Sequence, residues 1–105
     1  MKRRCLLSLA ALLLAAALPL AARAATHTIT IEGMKFSPET VTVKAGDRIV
    51  WQNKDVVPHT ATAKGVFDSG AIAVGKSWSH AAPKPGRYDY VCTFHPGMKA
   101  TLVVQ

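Results

Sequence analysis

From Thr26 to Glu32, Ile29 and Ile31 alternate with threonines and His27, the two-residue period of a strand with one wet face. Val41 and Val43 alternate in the same way with Thr40, Thr42 and Lys44. Arg48 to Asn53 places Ile49, Trp51 and Asn53 on one side. Later in the chain Trp78, His80 and Ala82 share a face, as do Tyr88, Tyr90 and Cys92 within Arg87 to Cys92. Leu102 and Val104 face one way in a closing strand over Thr101 to Val104. Turn chemistry separates these segments: Gly33 to Pro38, Ala45-Gly46-Asp47, Lys64-Gly65, Asp68-Ser69-Gly70, Gly75-Lys76 and Pro83-Lys84-Pro85-Gly86. Asn53 to Pro58 is polar and loop-like, and it delivers His59 directly after a proline. No helical period of useful length occurs after residue 24. Short strands punctuated every few residues by Gly, Pro and Asp predict an all-β chain folded as a two-sheet Greek-key β-sandwich.

The front of the chain follows another pattern. Lys2, Arg3 and Arg4 precede an apolar run from Leu6 to Leu18, and Ala22-Arg23-Ala24 fits a small-x-small cleavage site. Residues 1–24 therefore read as a cleaved secretory signal peptide, and 25–105 as the single mature domain. The run falls short of the roughly 20 residues a membrane span needs, so no membrane anchor is expected in the mature form. A periplasmic location follows.

Cleavage changes two quantities. The formal charge of +7 loses Lys2, Arg3, Arg4 and Arg23 and becomes +3, with no basic block left to hold nucleic acid. Of the two cysteines, Cys5 leaves with the leader and Cys92 remains alone. One cysteine forms no internal disulfide, and a free thiol in an oxidising compartment is a liability unless something occupies it.

Cys92-Thr93-Phe94-His95-Pro96-Gly97-Met98 suggests what occupies it. A thiolate, an imidazole and a thioether stand three residues apart, three of the four groups of an electron-transfer copper site with two His, one Cys and a distant axial Met. His95 reads as a turn residue, and Pro96-Gly97 as the point where the loop folds back. The fourth group must come from His27, His59 or His80. His27 reads as a solvated strand residue. His80 reads as a partly buried neutral histidine bonded to a backbone group or a tyrosine hydroxyl. His59, at the end of a loop where the ends of a sandwich converge, is the best candidate.

These residues resemble the small cupredoxins, the blue-copper family that includes plastocyanin, pseudoazurin and amicyanin. The likeness runs over the whole mature sequence. It is carried by F-S-P-E-T-V-T-V-K-A-G-D from Phe36, W-Q-N from Trp51, P-H at Pro58-His59 and F-D-S-G from Phe67. K-P-G-R-Y-D-Y from Lys84 and the C-x-x-H-x-x-M loop complete it, and that short loop is most similar to the amicyanin branch. The resemblance implies one mononuclear type 1 copper ion, cycling between Cu2+ and Cu+, held by His59, Cys92, His95 and Met98. It also implies a monomeric shuttle of single electrons between redox donor and acceptor proteins. These would dock transiently near His95, on an apolar patch that includes Pro58, Pro96, Gly97 and Met34. Thr60 stands where many members carry Asn after the first His, and Gly97 where amicyanin's loop has a bulkier residue.

Two other readings bear comparison. The chain could be a periplasmic copper-binding or trafficking protein with copper as cargo, or a structural zinc domain in which Met98 would serve poorly as a ligand. Enzymatic activity is not expected: there is no nucleophile elbow, no phosphate-binding loop and no close carboxylate pair. Glu32, Glu39, Asp47, Asp55, Asp68 and Asp89 are scattered, and read as solvating residues.

Overall fold

A computed structural model describes residues 23–105, so the expected signal peptide lies outside the described residues apart from Arg23 and Ala24. Nine strands follow: β1 (Thr26–Glu32), β2 (Lys35–Ser37), β3 (Thr40–Val43), β4 (Arg48–Asn53), β5 (Thr62–Ala63), β6 (Phe67–Asp68), β7 (Ser77–Ala81), β8 (Gly86–Cys92) and β9 (His95–Val104). They form two sheets, one ordered β2-β1-β4-β7 and the other β3-β9-β8-β5-β6. The pairs β1–β4 and β3–β9 are parallel and the remaining pairs antiparallel. This is the expected two-sheet sandwich.

Alternation decides which side chains fill the space between the sheets. Ile29 and Ile31 from β1, Ile49 and Trp51 from β4, Tyr90 and Cys92 from β8, and Leu102 and Val104 from β9 are all buried. Trp51 is the centrepiece. Its ring centroid lies 5.4 Å from Phe67, 5.3 Å from Trp78 and 5.7 Å from Tyr90, the last edge-on. Aromatic rings at these separations bury large areas and interact favourably through their quadrupoles. Burial pushes the Tyr90 hydroxyl up to about 12.

His80 belongs to this aromatic group. Its ring stacks on Trp78 at 5.2 Å and 13°, with Phe67 5.8 Å away. The expectation of a hydrogen bond to a backbone group or tyrosine is replaced by stacking, because alternation on β7 places both rings over the same core flank.

The short strands β5 and β6 fall where no alternation marked a strand, and two further differences from the sequence reading lie in β2 and β9. Gly33 to Pro38 is not only a turn: Lys35–Ser37 forms β2, paired antiparallel with β1. β9 begins at His95 rather than Thr101, and the turn that feeds it is Thr93-Phe94. His95 pairs directly with Cys92, across a bulge at Val91/Cys92. Pro96 and Gly97 thus lie in an extended segment and do not fold the loop back. A proline is tolerated there because this end of β9 lies beyond the regular ladder.

Leu102 is fully buried on β9, between β3 and β8. Leu102→Ala should destabilise the metal-free protein by about 2–5 kcal/mol in urea denaturation. A loss well below 1 kcal/mol would mean that the sheets collapse around the gap, and that the core is less closely packed than described.

Candidate metal centre

Two loops at one end of the sandwich supply the site. The first runs from β4 to β5 and carries His59 and Thr60. The second is the Thr93-Phe94 turn between β8 and β9, flanked by Cys92 and His95. Each has its own internal reason to hold its shape.

Asn53 ends β4 on the inward face and is buried. Its side-chain amide donates to the carbonyls of Val57 and Ile72, both at 2.9 Å, while its Oδ1 accepts the Asp55 N–H at 2.9 Å. One side chain therefore bonds three backbone groups and ties the β4–β5 loop to the segment around Ile72. His59 then forms an isolated bridge with Ile72, exchanging hydrogen bonds of 3.2 and 2.7 Å. Further on, the Ser69 hydroxyl accepts the Ala61 N–H at 2.8 Å and the Ser69 N–H donates back to Ala61 at 3.1 Å. The F-D-S-G run thus clamps the chain just after His59 and Thr60.

Asp55 fixes the imidazole. Its Oδ2 lies 2.8 Å from His59 Nε2 and accepts the Met34 N–H at 3.0 Å, and its Oδ1 accepts the Val56 N–H at 2.9 Å. These donors, the Met34 amide foremost and the His59 ring next, hold the Asp55 carboxyl down at about 2. A carboxylate that stays ionised fixes the ring's orientation. With Nε2 engaged by Asp55, Nδ1 is the ring nitrogen turned toward the cysteine sulfur. The bond to Met34 also anchors a residue in the left-handed region, at φ 61°.

That Nδ1 lies 3.5 Å from Cys92 Sγ, and both residues are fully buried. The sulfur also accepts the Thr60 N–H at 3.3 Å. Thr60 ties the loops together a second time: its hydroxyl accepts the Thr93 N–H at 2.9 Å and lies 3.1 Å from the Thr93 hydroxyl. Threonine thus serves as the bridge between the loops. The ring of His95 has its centroid 5.4 Å from that of His59 and is half-buried. Met98, three residues further along β9, is buried and sits with His59 and Cys92.

Of the residues picked out in the sequence, His59, Cys92, His95 and Met98 thus come to one end of the fold. His80 lies apart, half-buried and stacked on Trp78 at the flank of the aromatic core. His27 also stands apart, on β1, where its Nε2 meets Asp47 Oδ2 at 2.9 Å. It is pinned there and is not the solvated strand residue expected. Asp47 and Asp55 likewise are not solvating residues, since both accept several hydrogen bonds at loop junctions. Alternation puts Asn53 on the inward face, and a polar residue at an inward position is the sequence signal for its role.

The donor set fits a soft, redox-active metal. It offers a cysteine sulfur shut away from water, an imidazole whose Nδ1 faces that sulfur, a thioether, and a second imidazole beside the first.

Comparison with known proteins agrees with this chemistry. The profile of the Cupredoxin-like domain matches residues 5–104. Amicyanin-alpha of Methylorubrum extorquens is 35% identical over 90 residues, covering 80% of this chain and 76% of that protein. Plastocyanin of Scenedesmus fuscus is 34% identical over 84 residues, covering 67% of this chain and 86% of its own. Among solved structures, the copper(I) form of an amicyanin variant superposes with a TM-score of 0.69 at 28% identity, covering 82% of this chain and 86% of that one. The sheet order, the two bridged loops and these relatives together place the chain in the cupredoxin-like family.

Proposed function

We propose that this chain is an exported carrier of single electrons, not an enzyme, and that His59, Cys92, His95 and Met98 hold one type 1 copper ion. The observation that carries the reading is the contact between His59 Nδ1 and Cys92 Sγ, 3.5 Å apart and shut away from solvent. Bound copper supplies the couple between the cupric and cuprous states. The protein's own groups supply everything else.

A carrier works well when its ligands move little as the electron arrives or leaves. Asp55 holds the His59 ring, the Thr60 N–H holds the sulfur, and the Thr60 hydroxyl locks the Cys92 loop to the His59 loop. A hydrogen bond from an amide to the thiolate also draws electron density from the sulfur, which favours the reduced state. With all four positions filled by protein groups, no position is left open for a substrate.

His95 is half-buried and bordered by exposed apolar residues, as an electron outlet would require. The patch expected at Pro58, Pro96, Gly97 and Met34 is extended by Phe94, 52% exposed, and Val56, 86% exposed. Exposed apolar side chains gathered at one end suit the small, short-lived interfaces of electron-transfer encounters. A redox donor and an acceptor would dock here in turn. Residues 1–24 serve as the export leader, and the mature chain works in the periplasm as a monomer.

Titrating the purified chain with cupric ion should produce an intense absorption near ~600 nm, the signature of a copper–thiolate bond. The band should bleach with a one-electron reductant, return on reoxidation and be missing in Cys92→Ser. A colourless protein that holds copper tightly would favour the cargo reading, and one that binds no copper would overturn both.

Docking is testable without identifying a partner, by measuring electron self-exchange between the copper(I) and copper(II) forms. Phe94→Glu brings two carboxylates face to face when two patches meet, and should slow self-exchange about ten-fold, equivalent to roughly 1.4 kcal/mol. The visible spectrum should not change. An unaltered rate would show that the patch around His95 is not where copies meet.

A further inference from the structure

At the opposite margin from the metal centre, Asp47 forms an acceptor site for which electron transfer has no use. It is buried to 6% exposure at the β3–β4 turn. Its Oδ2 accepts the Lys44 N–H at 3.0 Å and meets His27 Nε2 at 2.9 Å, while its Oδ1 accepts the nitrogen of Ala25 at 3.0 Å. The Ala25 carbonyl in turn accepts the Arg48 N–H at 2.9 Å. Ala25 is thus held at both ends of its backbone, and β1 begins at the next residue. Arg23 and Ala24 are exposed. Among the described residues, Ala25 is the first to hydrogen-bond to the rest of the fold.

The sequence places the cleavage of the leader at this same residue. Hydrolysis of the Ala24–Ala25 peptide bond by a leader-cleaving protease adds the hydroxyl of water to the Ala24 carbonyl and a proton to the Ala25 nitrogen. At neutral pH that nitrogen takes up one more proton and becomes an α-ammonium. We infer that Asp47 is the receptor for this processed terminus: cleavage converts the bond between Ala25 nitrogen and Asp47 Oδ1 from a neutral amide contact into an ion pair. Maturation would then tighten the first strand onto the fold. The inference rests on the leader reading given above.

Two features support it. The Asp47 carboxyl is held below its usual value, by the Lys44 N–H foremost and the His27 ring next, so it is ionised when the ammonium arrives. Ala25 itself is exposed, which leaves room for the remaining ammonium protons to meet water. The other charged or titratable side chains around the position are Arg23 and His27 on either side of Ala25, and Lys44 and Arg48 flanking the turn. All except Arg23 remain in the processed chain.

The pH dependence has a definite sign. A free α-amine titrates near 7.7–8.0, and pairing with Asp47 raises that value in the folded state. The stabilisation is therefore complete below the unfolded value and is lost as pH rises through the folded one.

The test uses the full precursor, exported and purified after processing, beside a precursor with one serine inserted between Ala24 and Ala25. In the second chain the amine stands one residue further out and Ala25 keeps a neutral amide. Intact mass first reports the terminus, expected at Ala25 and at the inserted serine. Thermal unfolding of the mature chain should then lie about 2–6 °C above that of the inserted chain near pH 7. The gap should close near pH 10, and should be absent at both pH values when Asp47→Asn is added to each chain. The remaining titrating groups are common to both chains and cancel. A mass showing no cleavage, or cleavage elsewhere, would overturn the leader reading and the inference with it. Correct masses with equal unfolding temperatures near pH 7 would overturn the docking of the terminus alone.

Discussion

A cysteine sulfur with no access to water, 3.3 Å from a single backbone N–H, is the constraint on which the rest of the fold depends. A buried thiolate is costly unless it is paired and hydrogen-bonded. The Thr60 amide is the protein's own answer to part of that cost, and it comes from a different loop. The two loops must therefore be held in register around that bond. Strand β8 fixes Cys92 through its pairing with β9, and Asn53 and Ser69 fix the backbone around Thr60 from the other side. The sandwich exists, in this sense, to keep one hydrogen bond short.

Asp55 extends the same logic outward. By accepting from His59, Met34 and Val56 it connects the imidazole to two neighbouring stretches of backbone. Orientation of the ring and the backbone position of Met34 are then both tied to one carboxylate. Buried polar groups joined in a fully satisfied network specify one arrangement more sharply than apolar packing does. For a carrier that must not reorganise, such rigidity is the useful property.

Much of this was legible in the sequence where the period was regular. Alternation located β1, β4 and the inward side of β8, and the C-x-x-H-x-x-M spacing with His59 picked out the residues that meet at the site. What escaped lay where composition and conformation disagree. Lys35-Phe36-Ser37 is flanked by turn residues, yet it pairs with β1 because the turn at Gly33-Met34 returns the chain along its edge. His95-Pro96-Gly97 has the composition of a turn, but Cys92 and His95 already pair across Thr93-Phe94 and the chain continues extended. Asp47 and Asp55 looked like surface acids because their donors are backbone amides and histidines distant in sequence, and no local pattern announces them. Alternation put His80 on the same face as Trp78, but whether the two rings stack depends on side-chain rotamers that the period does not report.

In this arrangement the protein, rather than the metal, assembles the site. Amide hydrogen exchange on the metal-free chain reads that assembly at the two N–H groups that join the loops. Thr60 and Thr93 should exchange at least about 100-fold more slowly than in an unfolded peptide, and addition of copper should slow them further without creating protection from nothing. Exchange of both amides at unfolded rates until copper is bound would contradict this, and would make the metal the organiser of its own site.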